Sequence, residues 1–349
     1  MRQKFDPADD RQLRGDFLKM ADVFDIEQFE IADKKEPGKQ RYFLEIADNA
    51  DEQIGIPVLI ANGHHPGKTL VVFACVHGDE LEGVQAIHDV FNLLEPRDMH
   101  GRLIAVPIAN LPAYNAVTRT SPIDGLNLAR TFPGKKDGTV TERIAYYLSN
   151  LAIREADLFL DLHSSGVRSR MPTMVGYDAG ETACAARSKE AALAFGMPVI
   201  WGHKNISPGR SICSAAEFGI PWLYVESPNG ACVSPIDLPF YVNGVLNLLG
   251  HLGVISRSIE SKPPMCRLLG SGDVDTSRCT DISGFFVPHA GLLERVEKGQ
   301  PVGEIRDIFG QTIQKIHAER KGLVAMLRAT PVVSPGDALF LIADEDLNR

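Results

Sequence analysis

Three short apolar runs in this sequence are each followed at once by residues that bind metals or move protons. One run leads into His77-Gly78-Asp79-Glu80, a later one leads into His163, and a third ends at Glu226. Ligands of open α/β sheets bind beyond the carboxyl ends of the strands. We expect His77, Glu80 and His163 to hold a metal, because two imidazoles, one carboxylate and an open fourth position are typical of catalytic zinc.

Two further carboxylates fit supporting roles at such a site. Asp161 precedes His163 by two residues on the same strand face, so it can hold the imidazole ring in place. Glu226 is placed to take a proton from a metal-activated water. A single histidine at a strand end is more often packed or solvated than a ligand, but three strand ends carrying such residues together favour a metal site.

The long polar segment from Arg119 to Gly134 is the next candidate, since loops of this length are usually functional. Arg119 and Arg130 can each grip a carboxylate with two hydrogen bonds. The alternative is that these arginines pair with surface acids. For Arg168 and Arg170, a place in the pocket and a solvated face are equally compatible with the sequence.

Other reactive side chains have ordinary structural explanations. Cys75 is expected to be a core thiol, and Asp79 and Glu82 are expected to be acids that interact with a helix N-terminus. Six histidines are expected to have no ligand role: His64, His65, His88, His203, His289 and His317.

The order of apolar patterns predicts an α/β fold with a mixed sheet flanked by helices. Strands are expected near residues 57–61, 69–76, 103–108, 158–162 and 222–226. Helices are expected near 82–94, 139–156, 182–195, 211–218 and 239–252, and this alternation indicates βαβ units and a largely parallel sheet. We place no chemistry in residues 1–50.

After Lys262-Pro263-Pro264 the helical periodicity stops, and short β-type runs spaced by glycines follow. They predict a small all-β barrel or sandwich module. We therefore divide the chain into a hydrolase domain, 1–262, which includes the N-terminal extension 1–50, and a β-rich accessory domain, 263–349.

Composition excludes several classes of protein. The 349 residues carry 36 basic and 45 acidic side chains, a net charge of −9, which argues against binding to nucleic acid or to an anionic membrane surface. The charged N-terminus does not look like a secretory signal, and we find no transmembrane run. The six cysteines lack any C-x-x-C pair, so we expect reduced thiols and a cytoplasmic protein.

Taken in order, these motifs resemble the succinylglutamate desuccinylase/aspartoacylase family, whose catalytic domain is similar to zinc carboxypeptidases. The resemblance rests on four motifs within residues 55–345: H-G-D-E after a strand, N-x-x-R-x-F-P-G in the next loop, D-L-H at a later strand end, and a final Glu at the end of a still later strand. The resemblance implies that His77, Glu80 and His163 bind zinc and that Glu226 is the general base and acid. It also implies that Arg119 and Arg130 bind the substrate carboxylate and polarise the scissile carbonyl.

The sequence departs from the family pattern at two places. Ala129 stands where many members have Asn before the arginine, and the stretch after the catalytic Glu reads Ser227-Pro228-Asn229-Gly230. These differences bear on the substrate rather than on the metal chemistry. The β module also resembles biotinyl and lipoyl barrels in its turn pattern, but Lys298 is expected to be a solvated turn residue.

We therefore predict a zinc-dependent hydrolase, with one Zn²⁺ per chain, that cleaves the amide of an N-acylated amino acid or related small amine. Glu226 and Arg119 are expected to be catalytic, and Arg119, Asn127 and Arg130 to bind substrate. The sequence leaves homo-oligomers open. The alternatives are a metallocarboxypeptidase acting on short peptides and a metal-stabilised binding protein without turnover.

Overall fold

The structure is a computed structural model that describes residues 21–49, 52–259, 262–270 and 274–346. The N-terminal residues, which do not look like a secretory signal, lie outside the described residues. Its strands, in chain order, are β1 (Asp22–Asp25), β2 (Gly38–Asn49), β3 (Glu52–Asn62), β4 (His65–Ala74), β5 (His100–Val106), β6 (Leu158–Leu162), β7 (Ser169–Arg170), β8 (Met174–Asp178), β9 (Val199–His203), β10 (Trp222–Glu226), β11 (Cys266–Leu269), β12 (Arg278–Cys279), β13 (Gly284–Pro288), β14 (Arg295–Val296), β15 (Pro301–Arg306), β16 (Thr312–His317), β17 (Gly322–Arg328), β18 (Val332–Val333) and β19 (Ala338–Glu345).

Six α-helices connect these strands within the described residues. They are α1 (Glu82–Leu93), α2 (Leu111–Ala116), α3 (Val140–Tyr147), α4 (Ala183–Phe195), α5 (Ser211–Glu217) and α6 (Leu238–His251). No described helix combines the length and apolar character that a membrane crossing requires.

One long mixed sheet runs through the molecule in the order β1-β2-β3-β5-β4-β6-β10-β8-β9-β11-β19-β17-β14. Its centre, β5-β4-β6-β10, is parallel, whereas β2 with β3, β3 with β5 and β10 with β8 are antiparallel. The prediction of a mixed sheet flanked by helices is confirmed. The narrower expectation of a largely parallel sheet holds for the centre and for the pairs β1–β2, β8–β9 and β9–β11, whereas the remaining pairs are antiparallel.

Helices cover both faces of this sheet, so its central strands are apolar on both sides. Alternation along β4 sends Val72 into a core shared with α1, α4 and α6, and sends Phe73 into a core shared with α3 and α5. The fully buried pattern of β6 has the same cause. Buried strands of this kind leave polar side chains only at their ends.

The N-terminal extension contributes two strands to the sheet, which we did not predict from the sequence. Strand β2 forms a long antiparallel pair with β3, from Gly38 opposite Asn62 to Asn49 opposite Glu52, and β1 adds to its outer edge. Tyr42 and Leu44 enter the core beside β3. The signal was a short period-two pattern inside a charged stretch, which is typical of a strand near a sheet edge.

One local expectation needs correction, and two strands were missed. The predicted helix 139–156 begins as expected, with Thr139 and Glu142 forming a capping box, but α3 ends at Tyr147. A π-helical turn, Leu148–Ala152, and a 3₁₀ turn, Ile153–Glu155, follow it. Strands β8 and β9 were not predicted, although β9 carries a residue of the site described below.

The C-terminal part is rich in β-strands, as predicted. A four-stranded sheet, β16-β15-β13-β18, packs on the end of the long sheet, with Phe286, Ile305, Val324 and Leu339 among the buried side chains between them. Strand β11 lies beyond the proposed boundary at residue 262, yet it pairs with β9 on one side and β19 on the other. The two parts therefore share one continuous sheet, and the division at 262 stays a proposal.

Candidate metal centre

The candidate site lies where three neighbouring parallel strands end. Strands β4, β6 and β10 are adjacent in register, and their carboxyl ends carry the turn with His77, then His163, then Glu226. The backbone N–H of His163 donates to the carbonyl of Val225 at 3.0 Å, which continues the β6–β10 pairing past the last assigned residue. Side chains that are far apart in the chain thus meet at one edge of the sheet.

Three potential ligands converge around the carboxylate of Glu80. Its Oε1 lies 2.8 Å from Nδ1 of His77, and its Oε2 lies 2.8 Å from Nδ1 of His163. One ligand atom from each of the three residues falls within 4.8 Å of the other two. His77 and Glu80 are almost fully buried. This spacing is compatible with one ion held by all three side chains.

The outer nitrogens of both imidazoles face acceptor oxygens. Nε2 of His77 lies 3.1 Å from Oδ1 of Asn127, and Nε2 of His163 lies 3.2 Å from Oδ2 of Asp161. Oδ1 of Asn127 also accepts from the backbone N–H of Ala129, which fixes the orientation of this amide. Acceptors at both Nε2 atoms favour protons there, so each Nδ1 can present its lone pair to a metal.

The turn that carries His77 is held tightly by the backbone. The N–H of Gly78 donates to the carbonyl of Thr118 at 2.9 Å. A Cβ atom at Gly78 would lie 1.9 Å from the carbonyl oxygen of Ala113, so no side chain fits there. Gly78 therefore permits the close packing that brings Glu80 back towards His77.

The pKa values of His77, Glu80 and His163, which we call the triad, reflect their burial and the charges that they exert on one another. Burial raises the pKa of Glu80, but the two imidazoles outweigh it and lower the pKa overall. Burial and then Arg119 lower the pKa of His77. Burial also acts to lower the pKa of His163, but Asp161 and Glu80 raise it well above its usual value. An imidazole between two carboxylates is a place where a cation is stabilised.

Glu226 has the properties of a proton-transfer group. Burial, and next the charge of Glu80, raise its pKa well above the usual value. Its Oε2 atom is buried and is among the described side-chain atoms that lack a hydrogen-bond partner. Glu226 lines the same cavity as His77, His163 and Arg119. A carboxyl with one buried, unpartnered oxygen beside a candidate metal set is suited to exchange a proton with a bound molecule.

Two adjoining cavities open above the triad and share Arg119, Arg130, Met171, Glu226 and Val274. The larger has a volume of about 630 Å³. The smaller is lined mostly by charged and polar side chains and by a few apolar ones, among them Ile206 and Ile212. A small polar molecule with an apolar portion fits this lining.

The structure brings the three predicted substrate-binding residues to these cavities but engages each of them already. Nη1 of Arg119 lies 3.2 Å from Oε1 of Glu80 and 3.3 Å from Nδ1 of His77. Arg130 donates from Nε and Nη2 to the two carboxylate oxygens of Asp275, both at 2.8 Å. Asn127 lines the larger cavity while it contacts His77.

Several residues of the cavity were not identified from the sequence. His203 was assigned no role, but it is buried, lines the smaller cavity and lies with Nε2 2.7 Å from the hydroxyl of Tyr224. It ends β9, so its signal was the same strand-end position that singled out His163. Arg210 and Asp275 also line the cavities. Asp275 comes from a distant segment, and no local pattern indicates its place.

The two acids beside Glu80 are more buried than expected. Oδ2 of Asp79 accepts from the backbone N–H of Val167 at 3.0 Å, so it ties two loops of the site together. Glu82 is the first residue of α1, but its side chain is fully buried, and burial raises its pKa to about 7. Cys75 is a buried core thiol, as predicted.

Residues 66–252 match the model of the succinylglutamate desuccinylase/aspartoacylase catalytic domain. The chain belongs to this family. It is 30% identical over 315 residues to the N-alpha-acetyl-L-2,4-diaminobutyric acid deacetylase of Halomonas elongata, and the match covers 88% of this chain and 92% of that protein. The resemblance inferred from the motif order is thereby confirmed.

Solved structures of this family share the fold across nearly their whole length. The product-bound ectoine utilization protein EutE (DoeB) from Ruegeria pomeroyi is 28% identical with a TM-score of 0.81, covering 88% of this chain and 96% of that one. A succinylglutamate desuccinylase from Silicibacter sp. TM1040 is 27% identical with a TM-score of 0.81, covering 89% and 96%. The shared fold therefore extends beyond the catalytic-domain match at residues 66–252.

Proposed function

We propose that this protein is a zinc-dependent deacylase that hydrolyses the amide bond of a small N-acylated amino acid. The observation that carries the proposal is the convergence of Nδ1 of His77, Nδ1 of His163 and the carboxylate of Glu80, with Glu226 on the wall of the same cavity. Family membership supports hydrolytic chemistry at this place. The proposal extends to a small-molecule substrate and to a cytoplasmic enzyme.

Zinc fits the donor set better than the other common divalent ions. Two imidazole nitrogens and one carboxylate suit Zn²⁺, whereas Mg²⁺ and Ca²⁺ prefer oxygen ligands. We propose one ion per chain, held by His77, Glu80 and His163. When bound there, zinc supplies a Lewis acid for the amide carbonyl and lowers the pKa of a water molecule.

The protein's own residues then have three tasks. Glu226 accepts a proton from the attacking water and delivers it to the departing amine nitrogen, so that the amine leaves neutral. Arg119, whose Nη1 lies beside the triad, stabilises the negative charge that develops on the carbonyl oxygen. Asn127 and Asp161 keep the two imidazoles in the orientation that binding requires.

The substrate class proposed here is based on the activity named for the relative from Halomonas elongata. The Halomonas elongata protein is a deacetylase of N-alpha-acetyl-L-2,4-diaminobutyric acid, and 30% identity over 88% of this chain supports a related N-acetylated amino acid. Arg119 and Asn127 are proposed to receive the substrate carboxylate, and Arg130, whose Nε and Nη2 are bound to Asp275, is proposed to line the substrate pocket beside them.

The test is a panel assay with purified, zinc-loaded protein. N-acetyl amino acids, N-succinyl amino acids and short peptides with free carboxyl termini are compared by release of the free amine. Hydrolysis of N-acetyl amino acids, with loss of activity after chelation and recovery with zinc, is the expected result. Preferential cleavage of peptides would instead identify a metallocarboxypeptidase, and zinc binding without turnover would identify a binding protein.

A further inference from the structure

A carboxylate from the C-terminal part of the chain lies between two arginines at the mouth of the candidate site. Asp275 belongs to a short 3₁₀ turn, Val274–Thr276, that borders both cavities. Its two oxygens accept from Nε and Nη2 of Arg130, both at 2.8 Å. Nη2 of Arg210 lies 3.4 Å from its Oδ2. The contact joins segments that are remote in the sequence.

The arginines are more shielded from water than the acid. The side chains of Arg130 and Arg210 are 28% and 17% exposed, whereas that of Asp275 is 56% exposed. Nη1 of Arg130 donates to the carbonyl of Ala129 at 2.8 Å. Arg130 therefore already makes a bidentate contact with a carboxylate of the protein itself, in the geometry that a substrate carboxylate would use.

The described side chains of this contact carry a net positive charge. The guanidinium groups of Arg130 and Arg210 and the carboxylate of Asp275 sum to about +1, since arginine stays protonated and the pKa of Asp275 is lowered, mainly by its hydrogen bond from Arg130. A substrate with one carboxylate matches that charge. A substrate with two carboxylates would bring the second one against Asp275.

We propose that Asp275 determines substrate specificity. By occupying Nε and Nη2 of Arg130, the fork of this guanidinium group, Asp275 selects substrates with one carboxylate and an uncharged or cationic side chain over dicarboxylates. This inference rests on the proposed deacylase function and names its substrate class. Asp275 acts here both by withholding a binding group and by repelling a second anion, and specificity of this kind depends on repulsion as much as on attraction. Asp275 is a specificity residue and does not take part in bond cleavage.

The decisive comparison uses Asp275→Asn, which removes the charge while keeping the shape. N-acetyl-L-2,4-diaminobutyrate and N-acetyl-L-aspartate are assayed with each zinc-loaded protein. In the variant, we expect the ratio of kcat/KM for the dicarboxylate to that for the diamino compound to rise on the order of tenfold, or about 1.4 kcal/mol. Asp275→Glu keeps the charge, and its ratio should stay near that of the unaltered protein.

A matched control removes another carboxylate of the same part of the chain. Glu319 lies 3.4 Å from Nη1 of Arg278 and its side chain is 69% exposed, so Glu319→Gln breaks a comparable pair. The ratio of kcat/KM for the dicarboxylate to that for the diamino compound should not change in Glu319→Gln. Arg130→Gln added to Asp275→Asn should abolish the gain on the dicarboxylate, because the released fork is then missing.

Binding measurements separate this inference from the proposed function. Calorimetry with acetate and with succinate reports the preference for one or two carboxylates without any turnover. If the unaltered protein hydrolyses none of the substrates, the proposed function is wrong, while the calorimetric preference still decides the role of Asp275. An unchanged preference in folded Asp275→Asn, judged by its melting temperature, overturns the inference.

Discussion

Oδ1 of Asn127 lies 3.1 Å from Nε2 of His77, on the side of the ring that points away from Glu80. This contact connects the polar loop to the candidate metal set without making Asn127 a ligand itself. Outer contacts of this kind hold the ring of a ligand and favour the tautomer that presents the other nitrogen.

Replacement of Asn127 by alanine should therefore weaken zinc binding about 10- to 100-fold. Asn127→Asp retains an acceptor oxygen and should bind zinc nearly as well as the unaltered protein. The dissociation constant for zinc, measured by competition with a chelator, tests both. Equal affinity in the alanine variant would show that the contact does not support the metal.

Glu226→Gln should keep its zinc but lose kcat by about 10²–10⁴-fold, because the amide cannot accept the proton of the attacking water. Metal analysis and steady-state kinetics are measured on the same preparation. Full activity in this variant would remove Glu226 from the mechanism.

His163→Ala should lose the metal, since it deletes one of three convergent ligand atoms. The exposed His317 provides the control, and His317→Ala should retain one zinc per chain. Metal content after dialysis is the measurement. Stoichiometric zinc in the His163 variant would contradict the proposed ligand set.

Gly78→Ala should disrupt the turn between His77 and Glu80, because the new Cβ would lie 1.9 Å from a backbone oxygen. We expect the free energy of unfolding to fall by about 1–3 kcal/mol and zinc affinity to fall with it. Gly291→Ala meets only the carboxylate end of Glu294, at 3.8 Å, and is the control. Urea unfolding of the two variants provides the comparison.

Asp124 gives a prediction about pH. Burial raises its pKa, but hydrogen bonds from the backbone and hydroxyl of Thr141 outweigh this and lower it overall. A lowered pKa stabilises the fold above the unfolded value of about 3.9, and that stability is lost as the pH falls through the folded value. Because Asp124 is partly exposed and solvent screens its interactions, Asp124→Asn should cost about 1 kcal/mol at pH 7 and progressively less below pH 4.

Urea unfolding at several pH values measures this difference. The exposed Asp137, in the same loop region, serves as the control, and Asp137→Asn should behave as the unaltered protein. A cost for Asp124→Asn that does not vary with pH would mean that charge is not the cause.

The chemistry-bearing strand ends could be read from the sequence because buried central strands confine polar residues to their ends. That pattern identified His77, Glu80, His163 and Glu226, and the structure brings them to one edge of the sheet. The family followed from their order. Their roles in binding and catalysis are proposals, and the experiments above are designed to test them.

The walls of the site could not be read in the same way. Asp275 reaches Arg130 only through the packing of a distant turn, and periodicity carries no information about such contacts. His203 was set aside because it has no acid or cysteine nearby in the sequence, whereas its partner, Tyr224, lies on a different strand. Strand β2 was hidden because a strand near an edge alternates with charged residues.

The position of β11 has a consequence for how the chain matures. A ribosome delivers the chain from its N-terminus, so β9 and β11 are made well before β19, the strand that completes the far side of β11. Until β19 is made, β11 is an edge strand whose unpaired backbone N–H and C=O groups can pair with other chains. Nascent molecules stalled before β19 are therefore expected to accumulate as insoluble material rather than as a shortened hydrolase.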